Sequence, residues 1–300
     1  EIYMNDSLGN PDPNSYNAVH WDGQSWELKR IKTLFRGNII TVPLEGICAF
    51  SSTDIWMVGS LPIRGDGTNW KMYDLRSTVD PNLSFSKVWG SSSNNIYFVG
   101  NNGSIAHYQN GGWTKIESGT NMSLSDITNN NLAEIFVCGG NTSFGQGIIL
   151  KSSNGNIFST FVLGANIPAT QLFNPNLYGS FSSIWFDQNS TLYSGGNILF
   201  QNKFNCWSYV NSLPENFIGG NPGVYYRGYI TKVRGNASND MWIAGDRNTL
   251  RHFNGTSWQQ VGMSYDPQID LTWKGMQTKD DITVVVGSHN RSAIIMMIKK

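Results

Sequence analysis

The sequence predicts an all-β protein, and more specifically a β-propeller made of four-stranded antiparallel blades. The first supporting observation is composition, because 32 of the 300 residues are glycine and 13% are aromatic, while only 14% are charged. This balance is typical of many short strands joined by turns. The second and stronger observation is a sequence unit that recurs along the chain.

The repeated unit is clearest in two stretches that align almost without gaps, residues 95–113 and residues 240–258. Each reads as a strand, a turn that contains Gly or Asn, a second strand, a tight turn and a strand that begins with Trp. A shorter copy, residues 18–26, covers the second half of the pattern. A further strand precedes each long copy, at residues 86–92 and 231–237. The unit therefore contains four strands.

Weaker copies share a pair of apolar anchor residues eight positions apart, one in the first strand and one in the second. The pairs are Ile47 and Ile55, Val88 and Ile96, Ile127 and Ile135, Ile184 and Leu192, and Val233 and Met241. In a sixth copy Lys274 replaces the first anchor, before Ile282. The second strands recur about 39 to 57 residues apart, which is the period of a propeller blade.

The turn between the third and fourth strands carries a resemblance to a known group of proteins. It reads His-Trp-Asp-Gly-Gln-Ser-Trp at residues 20–26 and His-Phe-Asn-Gly-Thr-Ser-Trp at residues 252–258, which resembles a degenerate Asp box. The whole unit is similar to the BNR and photosystem II assembly factor type of propeller, and to secreted propeller lipoproteins of Bacteroidetes-like bacteria. The chain departs from a full Asp box at His20, His107 and His252, where that motif has Ser or Thr.

The number of blades follows from the first strands. Six are visible, and residues 17–31 supply the third and fourth strands of a further unit, so we predict seven blades with six as the alternative. We expect one propeller domain over residues 1–300, closed by strands from both termini, because closure removes exposed sheet edges.

The charge balance argues against two classes of partner. The chain has 21 basic and 21 acidic residues, which gives no basic field for nucleic acid and no cationic face for anionic membranes. No apolar run approaches the roughly 20 residues that a membrane-spanning helix needs. Three cysteines, Cys48, Cys138 and Cys206, are expected to be buried free thiols. No metal-binding motif is present, and no metal or cofactor is expected.

Three long insertions are predicted to lie on one face of the propeller, at residues 60–69, 166–179 and 211–228. Long loops without secondary structure of their own are usually functional or disordered. Their aromatic and basic residues form a candidate recognition surface, although they could instead pack the loops down. These candidate binding residues are Phe173, Tyr178, Phe217, Tyr225, Tyr226 and Arg227.

The first strands line the central channel of a propeller and offer a second candidate site. Two Trp rings and an Arg, Trp89, Trp185 and Arg234, follow the first anchor in different copies. Lys87, Lys232 and Trp273 lie close by. Such a group could stack on a sugar or hold an anion, or it could serve packing between blades.

These observations favour binding over catalysis. The leading hypothesis is a secreted or surface-anchored module that recognises a protein or glycan through the long-loop face. The alternative is a glycan-active enzyme with a carboxylate or Tyr pair near Trp89 and Arg234 in the channel. A structural spacer in a surface array is the third. Whether a lipid anchor or further domain precedes Glu1 is left open.

Overall fold

A computed structural model describes residues 16–130, 132–141, 146–163, 179–187, 191–210, 229–262, 271–290 and 292–300. The all-β prediction is confirmed, because the described chain contains 27 strands and only two short helical turns. The chain forms two compact units, Glu1–Asn121 and Met122–Lys300.

The first unit opens with a two-stranded hairpin that pairs β1 (Ala18–Trp21) with β2 (Trp26–Lys29). A six-stranded sheet follows, with the spatial order β4-β3-β8-β7-β6-β5. Its strands are β3 (Lys32–Phe35), β4 (Asn38–Thr41), β5 (Gly46–Ser51), β6 (Asp54–Gly59), β7 (Leu61–Gly65) and β8 (Trp70–Met72). The last four form an up-and-down blade, to which the β3–β4 hairpin is joined by a parallel bridge between Leu34 and Lys71.

A second blade completes the first unit after the short helix α1 (Leu75–Thr78). Its strands are β9 (Phe85–Ser92), β10 (Asn95–Gly100), β11 (Ile105–Gln109) and β12 (Gly112–Ile116). A 3₁₀ turn, Asn101–Gly103, joins β10 to β11.

The second unit contains four further sheets of the same up-and-down design, each in sequence order. The third blade has β13 (Ser123–Asn129), β14 (Ile135–Asn141), β15 (Gln146–Ser152) and β16 (Ser159–Leu163). The fourth has β17 (Phe181–Phe186), β18 (Leu192–Gly196), β19 (Phe200–Lys203) and β20 (Cys206–Tyr209). The fifth has β21 (Ile230–Ala237), β22 (Asp240–Gly245), β23 (Leu250–Phe253) and β24 (Trp258–Gln260). The sixth has β25 (Leu271–Lys279), β26 (Ile282–His289) and β27 (Ser292–Lys299).

The fold is therefore a β-propeller of six blades, so the preferred prediction of seven is wrong and the alternative of six is confirmed. Residues 17–31 were expected to supply half of a seventh blade. Instead, β1 and β2 pair only with each other among the described strands, and the next hairpin, β3–β4, joins the sheet of the first blade. The closure of the ring by both termini stays a prediction.

A second correction concerns residues 60–69, which were predicted to be an insertion on the long-loop face. They form the third strand of the first blade, β7, and the turn before its fourth strand. In that turn the Asp66 side chain accepts hydrogen bonds from the backbone N–H groups of Thr68 and Asn69, at 2.8 and 2.6 Å. Asn254 makes the same pair of bonds in the fifth blade, so the segment is a regular part of the repeat.

Two of the repeated histidines support the start of the second strand in their own blades. His107 Nε2 lies 2.6 Å from Asn95 Oδ1, and its ring stacks on Tyr97. His252 Nε2 lies 2.7 Å from Asp240 Oδ1, and its ring stacks on Trp242.

The anchor residues explain how the blades pack. Val88, Ile127, Ile184 and Val233 are all almost completely buried, as expected for the first strands of packed sheets. The anchor of the first blade differs, because Ile47 is 61% exposed. The three thiols are free as predicted, but Cys206 is exposed and Cys48 is half-buried, so only Cys138 fits the expected burial.

Neither helical turn in the described chain has the length and apolar character that crossing a membrane requires. Within the same residues, no group of three or more His, Cys, Asp and Glu side chains is placed to hold a metal ion.

Candidate binding site

An open cavity of about 560 Å³ lies on the sheet of the first blade, where the β3–β4 hairpin joins β7 and β8. Its lining combines apolar, aromatic and basic side chains, chiefly Lys32, Leu34, Ile39, Arg64, Lys71 and Tyr73. Concave sites with a few well-placed polar groups are the usual form of ligand sites.

The strand register explains why these side chains meet. Ile39 on β4 lies opposite Leu34 on β3, Leu34 lies opposite Lys71 on β8, and Lys71 lies opposite Arg64 on β7. The row continues with Trp56 on β6. Residues directly opposite one another in a sheet point to the same face, so the row runs from an apolar end at the sheet edge to a basic and aromatic end.

The guanidinium group of Arg64 lies over two aromatic rings. Its Cζ atom is 4.9 Å from the centroid of the Trp56 ring and 5.9 Å from that of Tyr108. The Tyr73 ring stacks on the Trp56 ring, with 5.9 Å between their centroids and an interplanar angle of 18°. Because Trp56 is fully buried, the guanidinium rests on a fixed surface.

Arg64 is held in place by Asp54. Its Nε and Nη2 atoms each lie 3.0 Å from Asp54 Oδ1, and Nη1 lies 3.4 Å from the Tyr108 hydroxyl. Partial burial disfavours the charged guanidinium, but the hydrogen bond and charge of Asp54 outweigh it and raise the pKa of Arg64. The arginine thus stays charged at the wall of the cavity.

Two lysines add positive charge at the mouth. Lys32 and Lys71 are both exposed, and no carboxylate of the described chain pairs with either of them. The Lys71 ammonium lies 5.4 Å from the centroid of Tyr73. Asp66 is the acidic residue of the lining, and its carboxylate accepts hydrogen bonds within its own turn. These hydrogen bonds from Asn69 and Thr68 lower the pKa of Asp66 to about 2. The cavity therefore offers unpaired positive charge.

Of the predicted channel residues, Lys87 and Trp89 belong to the first unit and lie on β9. Both are half-buried, and the Trp89 ring lies 6.1 Å from that of Tyr97 on the adjacent strand. The structure thus keeps part of each side chain open to solvent.

In the second unit, Arg234 lies in a closed hydrogen-bonded network. Its Nη2 atom donates to both oxygens of Asp126, at 2.9 and 2.8 Å, and Nη1 donates to Ser183 Oγ at 3.0 Å. Ser183 Oγ in turn donates to Asp126 Oδ2 at 2.9 Å. Only 9% of the Arg234 side chain and none of the Asp126 side chain is exposed. This network joins the first strands of the third, fourth and fifth blades.

The other predicted residues of this unit, Lys232, Trp185 and Trp273, are buried to different degrees. Lys232 is half-buried, and burial lowers its pKa, with Arg234 adding to the effect and Asp126 opposing it. Trp185 is half-buried and stacks on Tyr193 at 5.5 Å. Trp273 is only 1% exposed and belongs to the core.

The predicted loop residues Phe173, Tyr178, Phe217, Tyr225, Tyr226 and Arg227 lie outside the described residues. Their binding role stays a prediction.

Sequence reasoning missed the cavity in the first blade. One signal was available, because Asp66-Gly-Thr-Asn-Trp70 matches Asn254-Gly-Thr-Ser-Trp258 and marks β7 and β8 as regular third and fourth strands. That match would have placed Arg64 and Lys71 opposite one another.

Comparison with known proteins shows that the chain shares its fold with other β-propellers. No family profile and no curated protein sequence matches the chain. Its structure is similar to that of YCF48 bound to D1 peptide, with a TM-score of 0.61 and 14% identity over 95% of this chain and 86% of that one. It is also similar to the extracellular domain of the putative one-component system BT4673 from B. thetaiotaomicron, with a TM-score of 0.62 and 12% identity over 98% of this chain and 38% of that one.

A third similar structure is PorZ of Porphyromonas gingivalis, described as a bacterial surface component of the type-IX secretion system. Its TM-score is 0.58, with 12% identity over 85% of this chain and 38% of that one. At these identities the likeness shows a shared β-propeller fold.

Proposed function

We propose that this chain is a protein-recognition module that binds an extended segment of its partner. The observation that carries the proposal is the open cavity of the first blade, where exposed apolar side chains adjoin two lysines without acidic partners among the described residues. Arg and aromatic residues are enriched at the energetic centres of protein interfaces, and the cavity contains both on a rigid sheet.

The structural neighbours support this proposal. YCF48 shares the fold and is described in complex with a D1 peptide. The BT4673 domain is extracellular and PorZ is a surface component, which supports a secreted or surface-anchored location for this chain as well. A lipid anchor would fit the same location.

The long-loop face is a further part of the proposal. Tyr225, Tyr226 and Arg227 are adjacent in the sequence and have the side-chain chemistry of binding hot spots. We expect replacement of all three by alanine to weaken binding of any partner that spans this face.

The test is selection from a display library of random twelve-residue peptides, run beside a glycan array. We expect peptides to be enriched on the wild-type chain and to compete with one another for a saturable site, while the glycan array stays blank. Enrichment of glycans alone would overturn the proposal in favour of the glycan alternative. Failure to enrich any peptide would overturn peptide recognition itself.

A further inference from the structure

The geometry points to the chemistry of the segment that the first blade takes: an extended peptide that lies across the strands, with an apolar side chain on Leu34 and Ile39 and a carboxylate at Lys71. This inference rests on the proposed function, which it refines by placing the site and naming the ligand's side chains.

The apolar end of the row is open at the sheet edge. Leu34 is 43% exposed and Ile39 is 64% exposed, although they lie directly opposite one another and both line the cavity. β4 is the last strand of its sheet, so no described strand covers this pair from the outer side. An apolar ligand side chain placed here would remove two exposed side chains from water together.

The basic end selects an acidic group. Lys71 is exposed and has no acidic partner in the described part of the chain, and Lys32 on β3 lines the same cavity. Arg64 adds positive charge beside Lys71, with Asp54 neutralising it in part. Asp66 keeps its negative charge inside its own turn. A carboxylate therefore gains attraction here that a neutral or basic side chain does not.

The strand spacing sets the distance between the two ligand side chains. The point between Ile39 on β4 and Leu34 on β3 is about one and a half strand spacings from Lys71 on β8, which is about 7 Å at roughly 4.8 Å per spacing. An extended chain rises about 3.3 Å per residue and its alternate side chains point to the same side, so two residues cover that distance with both side chains facing the sheet. The ligand would carry its apolar and acidic residues two positions apart.

The experiment uses fluorescence anisotropy with labelled nine-residue peptides of Ser, Thr and Gly. One peptide carries Leu at position 3 and Glu at position 5, and others move Glu to position 4 or 6 or replace it by Gln. We expect the first peptide to bind best, with affinity about three- to ten-fold higher than each of the others, because an interfacial charge contact contributes about 1 kcal/mol.

Variants of the chain test the same contact from the other side. Lys71→Glu should weaken binding of the Leu-and-Glu peptide about ten-fold, and should restore binding of a peptide with Lys in place of Glu. Leu34→Ser should weaken both peptides about equally. The matched control is Lys203→Glu, an exposed lysine of the second unit that does not line the cavity, with an effect within about two-fold.

Two results separate this inference from the proposed function. If library peptides bind but Lys71→Glu changes nothing, peptide recognition holds and the first-blade site is wrong. If neither the designed peptides nor the library peptides bind, both fail. Thermal melting of each variant shows that it is folded, and Lys71→Gln serves as the milder second variant.

Discussion

Two of the Arg–Asp pairs in the described chain, Arg64 with Asp54 and Arg234 with Asp126, lie in very different surroundings. Arg64 lies at the wall of an open cavity with Asp54 beside it, and 33% and 19% of their side chains are exposed. Arg234 and Asp126 lie between first strands in the second unit, where 9% and 0% are exposed. The first pair leaves a charged, solvent-facing surface, whereas the second uses its hydrogen bonds within the protein. The second pair joins the first strands of three blades, whereas for the first pair we propose a role in recognition.

The strongest test of this contrast is to remove one member of each pair. Arg234→Ala leaves the buried Asp126 charge without its guanidinium, and losses of about 3 to 5 kcal/mol in unfolding free energy are typical of such changes. Arg64→Ala should cost much less, because water can reach Asp54. Urea denaturation followed by Trp fluorescence measures both.

A double variant checks the cause of the larger loss. Arg234→Met with Asp126→Leu removes both buried charges, and we expect it to recover most of the stability that Arg234→Ala loses. If the two arginine variants were equally stable, the closed and open pairs would not differ in the way that their exposure indicates.

The hydroxyl groups that contact each arginine provide a test with a smaller effect. Ser183→Ala removes a donor to Asp126 and an acceptor for Arg234 and for the Val233 N–H, so we expect a loss of about 1 to 3 kcal/mol. Tyr108→Phe removes only a 3.4 Å contact to Arg64 and should cost under about 1 kcal/mol. A larger loss for Tyr108→Phe in the same denaturation assay would reverse the comparison.

The sequence was sufficient to predict the repeat, and the structure confirms it. The anchors Val88, Ile127, Ile184 and Val233 are buried at the predicted spacing because each first strand must pack in the same way. The blade count was harder, because whether the hairpins β1–β2 and β3–β4 stand alone or join another sheet depends on pairing with strands far away in sequence, as between Leu34 and Lys71. A local pattern carries no information about that pairing.

The same limit applies to the two arginines. Arg234 was interpreted as a ligand residue because it follows an anchor and differs from its equivalents. Its partner Asp126 precedes an anchor two repeats earlier, at the position that Lys232 occupies in the fifth blade. Asp126 lies just before the anchor Ile127, and Arg234 lies just after the equivalent anchor Val233. These opposite charges beside equivalent anchors could have predicted the pair. For the cavity, the match of residues 66–70 with residues 254–258 could have placed Arg64 and Lys71, but no signal placed Leu34 and Ile39, because they belong to a hairpin outside the repeat.

The smallest expected effect concerns the lysine beside each arginine. Burial lowers the pKa of Lys232 from its ordinary value of 10.5, so the folded state disfavours its charged form and Lys232 lowers stability at neutral pH. The unfolded chain loses this proton near pH 10.5, and stability therefore rises as the pH increases from the folded pKa to that value.

Lys232→Met should be more stable than wild type at pH 7, and the difference should shrink as the pH approaches the ordinary lysine pKa. Lys71→Met should leave stability within about 0.5 kcal/mol at either pH, because Lys71 is exposed. Thermal melting of both variants at about pH 7 and about pH 10 measures this, and equal behaviour of the two lysines would show that the surroundings of Lys232 are as open to water as the cavity.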